Sequence, residues 1–542
     1  MLRNRNLTKE QVHRLLNPSI DSIGDIQNFQ SMNEGIRMFD EHIKKNNKIG
    51  ILVDVDIDGY TSAAIVYIFL HRYLKHKNIE VLFHDNSKEH GLQEDIMNKA
   101  IDSKVSLLIV PDAASEDYEQ HRILNEREID LLILDHHNFD RDKIIGKNTV
   151  VINNKDANIE NKFSSGCAVT YKFIEHYAEV NDIDLENMFI DLVGFSTISD
   201  SCDMRVEENR YYYMQGSQVT NITNSLLKFM VSKAYIKDSK SVTIGDMSFK
   251  INPKLNALIR RGNLEERELL FKCFINDSED LNKLAFKLMN SYKKEQDTEK
   301  YAGVDEIMRM IEIQELHKNP ILLVNCTNLL EKNILGLVAG QLLNGINRPI
   351  MLYTEEEGVC QGSFRNKGNN DIANLSKFCK DSNLFEWVRG HDNAAGFRIA
   401  KDNLDKFITY TIEKVDPKLD FSAYIVEDIY EGGVIKEDVL SISKLEDLWA
   451  ANLEAPKYLV LGVEIDTERI NRPGDRSAYN FMHNGVKYNK SMCSNEWIEG
   501  FVHSEFKNRD KNIKANMIVE FRKDRYGNST VNIVDAKTYV ID

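Results

Sequence analysis

Carboxylates and imidazoles gather where apolar runs of this chain stop. The run Ile49 to Val53 leads straight into Asp54-Val55-Asp56-Ile57-Asp58-Gly59, and Leu107-Leu108-Ile109-Val110-Pro111 ends at Asp112. Leu131 to Leu134 ends at Asp135-His136-His137, and a fourth apolar run closes with Thr197-Ile198-Ser199-Asp200. Brought together without partners, such acids would repel one another and shift their own pKa values, so bound cations are the economical expectation. Oxygen-dominated ligands with one or two imidazoles suit Mg²⁺ or Mn²⁺ better than a structural zinc, which prefers thiolates. A pair of such ions bridged by one carboxylate would activate water and stabilise the leaving oxygen of a phosphoester.

The elements that must position these residues are legible in the apolar periodicity. Ile49 to Val53, Ile79 to Phe83, Val105 to Val110, Ile129 to Leu134 and Thr149 to Ile152 are near-continuously hydrophobic and too short for helices. Strands of a parallel sheet covered on both faces read this way. Between them, Ser62 to His76 and Leu92 to Ile101 carry helical spacing, as βαβ crossovers require. The acidic segments then all fall at C-terminal strand ends, the edge on which open α/β folds place their sites. Helical patterns at Phe163 to Tyr177 and Leu185 to Ser196 close this unit.

From Asp277 to about Lys318 the chain is rich in Leu, Lys, Glu and Met with almost no Gly or Pro, which predicts one or two long helices. Pattern alone suits an interdomain strut and an exposed helix packed on the first unit equally. Apolar runs at Pro320 to Val324 and Pro349 to Tyr353 flank a helical segment at Ile334 to Leu343, predicting a second, smaller α/β unit over about 315–415. The tail reads as strands at Tyr458 to Ile465, Tyr479 to Met482, Val486 to Tyr488, Met517 to Phe521 and Thr530 to Val534, with Arg525-Tyr526-Gly527-Asn528 as a hairpin turn. A small β-barrel is expected there.

Composition bounds the rest. A chain of 542 residues with 42% apolar residues can bury several cores and should divide into about three domains. Its formal charge of -16 argues against a protein that coats nucleic acid non-specifically, though not against an enzyme with a local basic channel. The seven cysteines are odd in number and never spaced Cys-x-x-Cys, so neither a disulfide framework nor a zinc knuckle is expected. No signal-peptide pattern or membrane span is apparent, so a cytoplasmic protein is expected. For Asp54-x-Asp56-x-Asp58-Gly59 the sharpest rival is an EF-hand calcium loop. It fails because the twelfth loop position would be Ile65 rather than Glu and the preceding segment is strand-like. A haloacid-dehalogenase-like Asp-x-Asp nucleophile fits better but leaves Asp135-His136-His137 unexplained. Asp112 alone would be read as a capping or loop residue, and any single His as a satisfied structural one. The case rests on joint placement.

Asp54 to Ser62, Pro111-Asp112, Asp135-His136-His137 and Ser196 to Asp200 resemble the four successive motifs of the DHH phosphoesterase family. Ser165-Gly166 with its sequel through Phe173, Glu208-Asn209-Arg210, and Asn252-Pro253 through Asn256-Ala257 to Arg260 narrow the resemblance to RecJ-like single-stranded-DNA-specific exonucleases. Asn333 to Ala339, Gly362-Ser363-Phe364-Arg365 and Arg389-Gly390-His391 through Gly396 resemble the associated DHHA1 domain. The resemblance covers nearly the whole chain; only the first 45 residues or so have no counterpart. It implies an α/β fold: a parallel-sheet DHH domain with N-terminal arm and helical connector over 1–300, a smaller α/β DHHA1 domain joined by a long helix over 301–415, and a C-terminal OB-like β-barrel over 416–542.

Carried over position by position, the resemblance implies that Asp56, Asp58, Asp112, His136 and Asp200 bind two Mn²⁺ or Mg²⁺ ions with Asp112 as the bridge. Asp54 and Asp135 would be ligands or support them, and His137 would meet the scissile phosphate. Ser363, Arg365, Gly390, His391 and Arg260 would hold substrate phosphate. Two positions depart from family patterns: Leu52 stands where many DHH phosphatases place a metal-binding His, and Arg389 replaces the first residue of Gly-Gly-His. The implied activity is 5′ to 3′ degradation of single-stranded DNA to 5′-mononucleotides. The tail residues Lys507, Arg509, Lys511, Lys514, Arg522, Lys523 and Arg525, beside Tyr526 and Trp497, would either hold the strand or form a solvated face. A single-strand-binding protein or a helicase would be a natural partner, and no membrane is implied. The alternatives are hydrolysis of oligonucleotides or cyclic dinucleotides, and a catalytically silent Cdc45-like replication scaffold.

Overall fold

Every residue of Ile49–Val53, Leu107–Pro111 and Thr149–Asn153 is buried, so side chains pointing to both faces need cover, which a sheet between two helix layers supplies. The computed structural model describes residues 7–86, 89–144, 146, 148–156, 158–186, 188–234, 240–346, 348–367, 372–415, 426–449, 453–466, 478–491, 513–524 and 527–540. In it β1 (Ile49–Val53), β2 (Ile79–Phe83), β3 (Leu107–Pro111), β4 (Asp130–Asp135) and β5 (Thr149–Asn153) form a wholly parallel sheet in the order β2-β1-β3-β4-β5. Helices α1 (Met32–Lys44), α2 (Ile57–Ile68), α5 (Gly166–Val180) and α6 (Ile190–Ser199) cover one face, burying Phe39, Ile65, Phe173 and Phe195 against Ile51, Ile109 and Leu132. On the other face α3 (Glu94–Asp102) and α4 (Tyr118–Glu126) pack Ile96, Ala100 and Leu124 against Leu52, Leu108 and Ile133. The chain leaves β1 through α2 towards β2 and leaves β3 through α4 towards β4, in opposite directions. The gap between the C-terminal ends of β1 and β3 is therefore a topological switch point, where open sheets have a crevice.

After α7 (Asn252–Arg261), α8 (Glu279–Ile313) runs unbroken for 35 residues. Its first half places Ala285 and Met289 in the core of the first sheet, and its second half places Val304, Ile307 and Ile311 in the core of a second. Strut and packed helix are thus one element. The second sheet is mixed, with β6 (Leu322–Asn325), β7 (Ile350–Glu356), β8 (Val359–Arg365), β9 (Phe385–His391) and β10 (Ala394–Ala400) in the order β6-β7-β8-β10-β9. Helix α9 (Leu335–Ile346) lies on β7 and β8. The apolar runs point to β6 and β7 only; β10 buries alternate residues and β8 buries Cys360 and Phe364, so both have too few consecutive apolar positions to stand out.

The third sheet, β11 (Ile429–Glu431), β12 (Tyr458–Ile465), β13 (Ala478–His483), β14 (Val486–Ser491), β15 (Ile513–Lys523) and β16 (Ser529–Val540), has the order β11-β12-β15-β16-β14-β13. Its far strand β13 also meets β12, where His483 Nδ1 lies 3.0 Å from Glu464 O, so the sheet curls around Val460, Phe481, Tyr488 and Phe521 as an OB-like half-barrel. The β15–β16 hairpin closes with Asp524 N donating to Asn528 O at 2.8 Å. Arg525, Tyr526, Trp497, Lys507, Arg509 and Lys511 lie outside the described residues. Of the tail cations that are described, Lys514 pairs with Glu464 and Arg522 with Glu520. The N-terminal helix Lys9–Leu16 packs Val12 and Leu15 onto Leu448, Trp449 and Leu453, just before the third sheet. Among the described residues no helix is long and apolar enough to cross a membrane.

Candidate metal centre

The acidic segment after β1 splits into three environments. Asp54 is buried; its Oδ2 accepts from His90 Nδ1 at 2.8 Å, its Oδ1 accepts from Gly91 N at 3.2 Å, and Nε2 of the fully buried His84 stands 3.7 Å away. Burial opposes its charge, but His90 and His84 together hold its carboxyl well below the usual carboxylate range. Asp56 caps α2 by accepting from Gly59 N at 3.0 Å, and burial beside Asp54 raises its pKa. Asp58, one residue inside α2, accepts from Gly166 N at 2.7 Å and Cys167 N at 2.8 Å, the first amides of α5, and from Ser196 Oγ on α6. A helix N-terminus is a natural seat for a carboxylate. Burial and the charges of Asp200 and Asp56 nevertheless push its pKa up to about 7.

Asp112 follows β3 with a left-handed backbone, φ 65°, which turns its side chain over the switch point. Its Oδ1 is buried and accepts no hydrogen bond among the described residues, although His136 Nε2 lies 3.2 Å away. Burial, then Asp58, Asp56 and Asp135, drive its pKa well above the usual value. Gly166 is demanded here: a Cβ on it would overlap Asp112 Oδ1 and stand 2.8 Å from the Asp112 Cα. His136 also lies 3.9 Å from Asp58 Oδ2 through Nε2 and 3.7 Å from Asp200 Oδ2 through Nδ1. Burial pushes its pKa down to about 4, leaving the neutral imidazole that metals bind.

Asp135, the last residue of β4, collects His136 N at 2.7 Å, His137 N at 3.2 Å, Ser115 N at 3.1 Å and His137 Nδ1 at 2.8 Å. Despite burial, these partners hold its carboxyl well below the usual range. Burial works against the charge of His137, but Asp135 raises its pKa to about 10.

Ligand atoms of Asp58, His136 and Asp200 lie within 4.8 Å of one another, as do those of Asp112, Asp135, His136 and His137. A buried carboxylate oxygen that accepts no hydrogen bond from the described residues, such as Asp112 Oδ1, is one that a bound cation would satisfy. Oxygen donors with one neutral imidazole fit a hard divalent ion.

A sequence model of the DHH family, N-terminal domain, matches residues 48–197, which span β1 to β5 and all but Asp200 of this cluster. The SPbeta prophage-derived protein of Bacillus subtilis (strain 168) named as a single-strand DNA-specific exonuclease, YorK, is 29% identical over 518 residues, 90% of this chain and 87% of that one. Residues 48–197 thus match a DHH domain, and the relatives of the chain include RecJ-like exonucleases. Another relative, the single-stranded-DNA-specific exonuclease RecJ of Bacillus subtilis, is 24% identical over 453 residues, covering 80% of this chain and 55% of its own. The crystal structure of RecJ in complex with Mn²⁺ from Thermus thermophilus superposes with a TM-score of 0.71 at 16% identity, over 97% of this chain and 74% of that one, so the two share a fold.

The residues expected to hold substrate phosphate sit on the second sheet and near the end of α7. Ser363 pairs with Leu352 and Gly396 within the second sheet, and Gly390 has φ 125° where β9 turns towards β10. Arg365, at the end of β8, lies against α9 at Gly336, where a Cβ would come within 2.6 Å of Nη2. Burial and the charge of Arg260 lower its pKa to about 10. Arg260 lies in the last turn of α7 and acts electrostatically on Asp56, His90 and Arg365. The His391 side chain lies outside the described residues. Leu52 packs into the opposite face of the sheet with Ile96 and Leu108, away from the cluster. Arg389 stands over the Trp387 ring and within electrostatic reach of Asp117.

Sequence reasoning missed His84 and His90, which bind the first carboxylate, and Ser115, which binds Asp135. The same rule that found the acids, inspection of the residue after each strand, would have reached His84, since it directly succeeds β2.

Proposed function

We propose that this chain is a metal-dependent exonuclease that degrades single-stranded DNA from its 5′ end, hydrolysing phosphodiesters with two divalent ions and releasing 5′-mononucleotides. The observation that carries the reading is the pair of ligand clusters that share His136, one with Asp112, Asp135 and His137 and the other with Asp58 and Asp200, the buried Asp112 Oδ1 accepting no hydrogen bond among the described residues. The names of its RecJ-like relatives support the substrate class. Asp56, Asp58, Asp112, His136 and Asp200 would hold the ions, Mn²⁺ or Mg²⁺, with Asp112 shared between them. Bound there, the ions supply Lewis-acid activation of water and neutralise charge developing on the phosphoryl oxygens.

The chain's own residues do the positioning. Asp54 has both oxygens engaged by the segment after β2, so it orients that segment rather than serving as a principal ligand. Asp135 fixes the ring of His137 with Nδ1 inward, leaving the exposed edge to meet the scissile phosphate. Arg260, Arg365, Ser363, Gly390 and His391 hold the phosphate chain on the side of the second sheet, and the OB-like sheet carries the strand further. We read the units as residues 1–300, 301–415 and 416–542.

Strands labelled at the 5′ or 3′ end and incubated with Mn²⁺ test the reading. Labelled mononucleotide from 5′-labelled long strands is expected at once. Turnover limited to very short substrates would point to an oligonucleotide phosphodiesterase, and none at all to a silent scaffold. Asp112→Asn is expected to abolish turnover with the fold intact by circular dichroism; substantial residual activity would refute the shared-ligand assignment.

A further inference from the structure

Two exposed imidazoles flank the carboxylate cluster, and the function proposed above uses only one. His137 places Nδ1 2.8 Å from Asp135, and His90 places Nδ1 2.8 Å from Asp54. In each pair the carboxylate side chain is almost wholly buried, 0% and 3% exposed, and the imidazole mostly open, 54% and 61% exposed. Both carboxylates stand at a strand's C-terminal end, Asp135 closing β4 and Asp54 directly following β1.

The segment carrying His90 is clamped as firmly as the one carrying His137. Gly91 N donates to the second oxygen of Asp54, and Leu92 N donates to Asp117 Oδ2 at 2.8 Å. With Nδ1 committed to a carboxylate, the ring's remaining nitrogen is Nε2, which makes no hydrogen bond among the described residues. A ring held this way loses little further entropy on meeting a ligand. Arg260 acts on His90 and on Asp56, and also on Arg365, so His90 borders the side of the cluster that faces the second sheet. A polyanion is the ligand such a rim would take. The ends of β1 and β4 are two strand spacings apart, about 10 Å, so the two imidazoles are anchored at separate points along the rim.

We propose that His90 is a second substrate-contacting imidazole, bonding through Nε2 to the phosphate next to the one met by His137. This rests on the nuclease reading and adds a subsite to it.

His90→Asn separates contact from clamp, because its amide Nδ2 can take the place of Nδ1 towards Asp54 while nothing replaces Nε2. In the full chain with Mn²⁺, His90→Asn is expected to lower kcat/KM on end-labelled single-stranded DNA by about tenfold, chiefly through KM, the loss of one hydrogen bond to a charged group. The affinity for fluorescent oligodeoxythymidine, read by anisotropy, should fall in parallel, while Mn²⁺ affinity and the melting temperature stay at wild-type values. His90→Ala should lose as much or more in both readouts. Wild-type turnover and strand affinity in His90→Asn, alongside a defective His90→Ala, would show that the imidazole only clamps its segment and would overturn the proposal. A wild-type chain without nuclease activity would instead bring down the function on which it rests.

Discussion

At the residue scale the centre depends on close approach between groups that repel. Gly166 lets the start of α5 sit against Asp112 while the same amides hold Asp58. Gly166→Ala should therefore cost about 1–3 kcal/mol in urea unfolding and weaken Mn²⁺ binding in a direct titration; a variant that bound Mn²⁺ normally would mean the two segments have room to part. Crowded carboxylates also make the fold sensitive to their counter-ions. Mn²⁺ at about a hundred times its Kd is expected to stabilise the native state by about 2.7 kcal/mol, seen as a rise in Tm that a chelator reverses and Asp112→Asn does not show. The acids were legible because each follows an apolar run. Their division of labour was not: Asp54 looks as free as Asp58 on paper, and only the approach of His84, His90 and Gly91 engages it. The His90 contact joins positions 36 apart, with no local pattern to announce it.

At the scale of elements, buried strands were the most readable parts. Ile49–Val53, Ile79–Phe83 and Tyr458–Ile465 begin and end where their apolar runs do, because burial rather than turn chemistry sets their limits. The start of α2 was less readable. Helical spacing suggests Ser62, whereas the helix begins at Ile57, since Asp56 serves as its cap and Gly59 in the first turn looks like loop. Helix α8 is the element with most mechanical consequence, because one uninterrupted ladder carries residues of two cores. Lys294→Pro, at an exposed position near its middle, is expected to cost about 3 kcal/mol or more and to split one calorimetric transition into two. A single unchanged transition would show that the cores are coupled by other contacts.

At the scale of the whole molecule, the N-terminal segment, for which the sequence offered no counterpart, has a structural task, and the fold shared with RecJ from Thermus thermophilus extends over 97% of the chain. Val12 and Leu15 share a core with Leu448, Trp449 and Leu453, and Arg210 beside the first sheet donates to Leu448 O. Leu15→Ala should cost about 2–5 kcal/mol at this junction and expose the arm to limited proteolysis before the rest of the chain is cut; equal protease resistance would mean the arm is held elsewhere. The sequence could not foretell this, because small apolar patches find distant partners only in three dimensions. The 35 residues of α8 rise about 50 Å in one piece. A backbone so continuous acts as a caliper rather than a hinge, fixing the separation of the two cores to which it contributes.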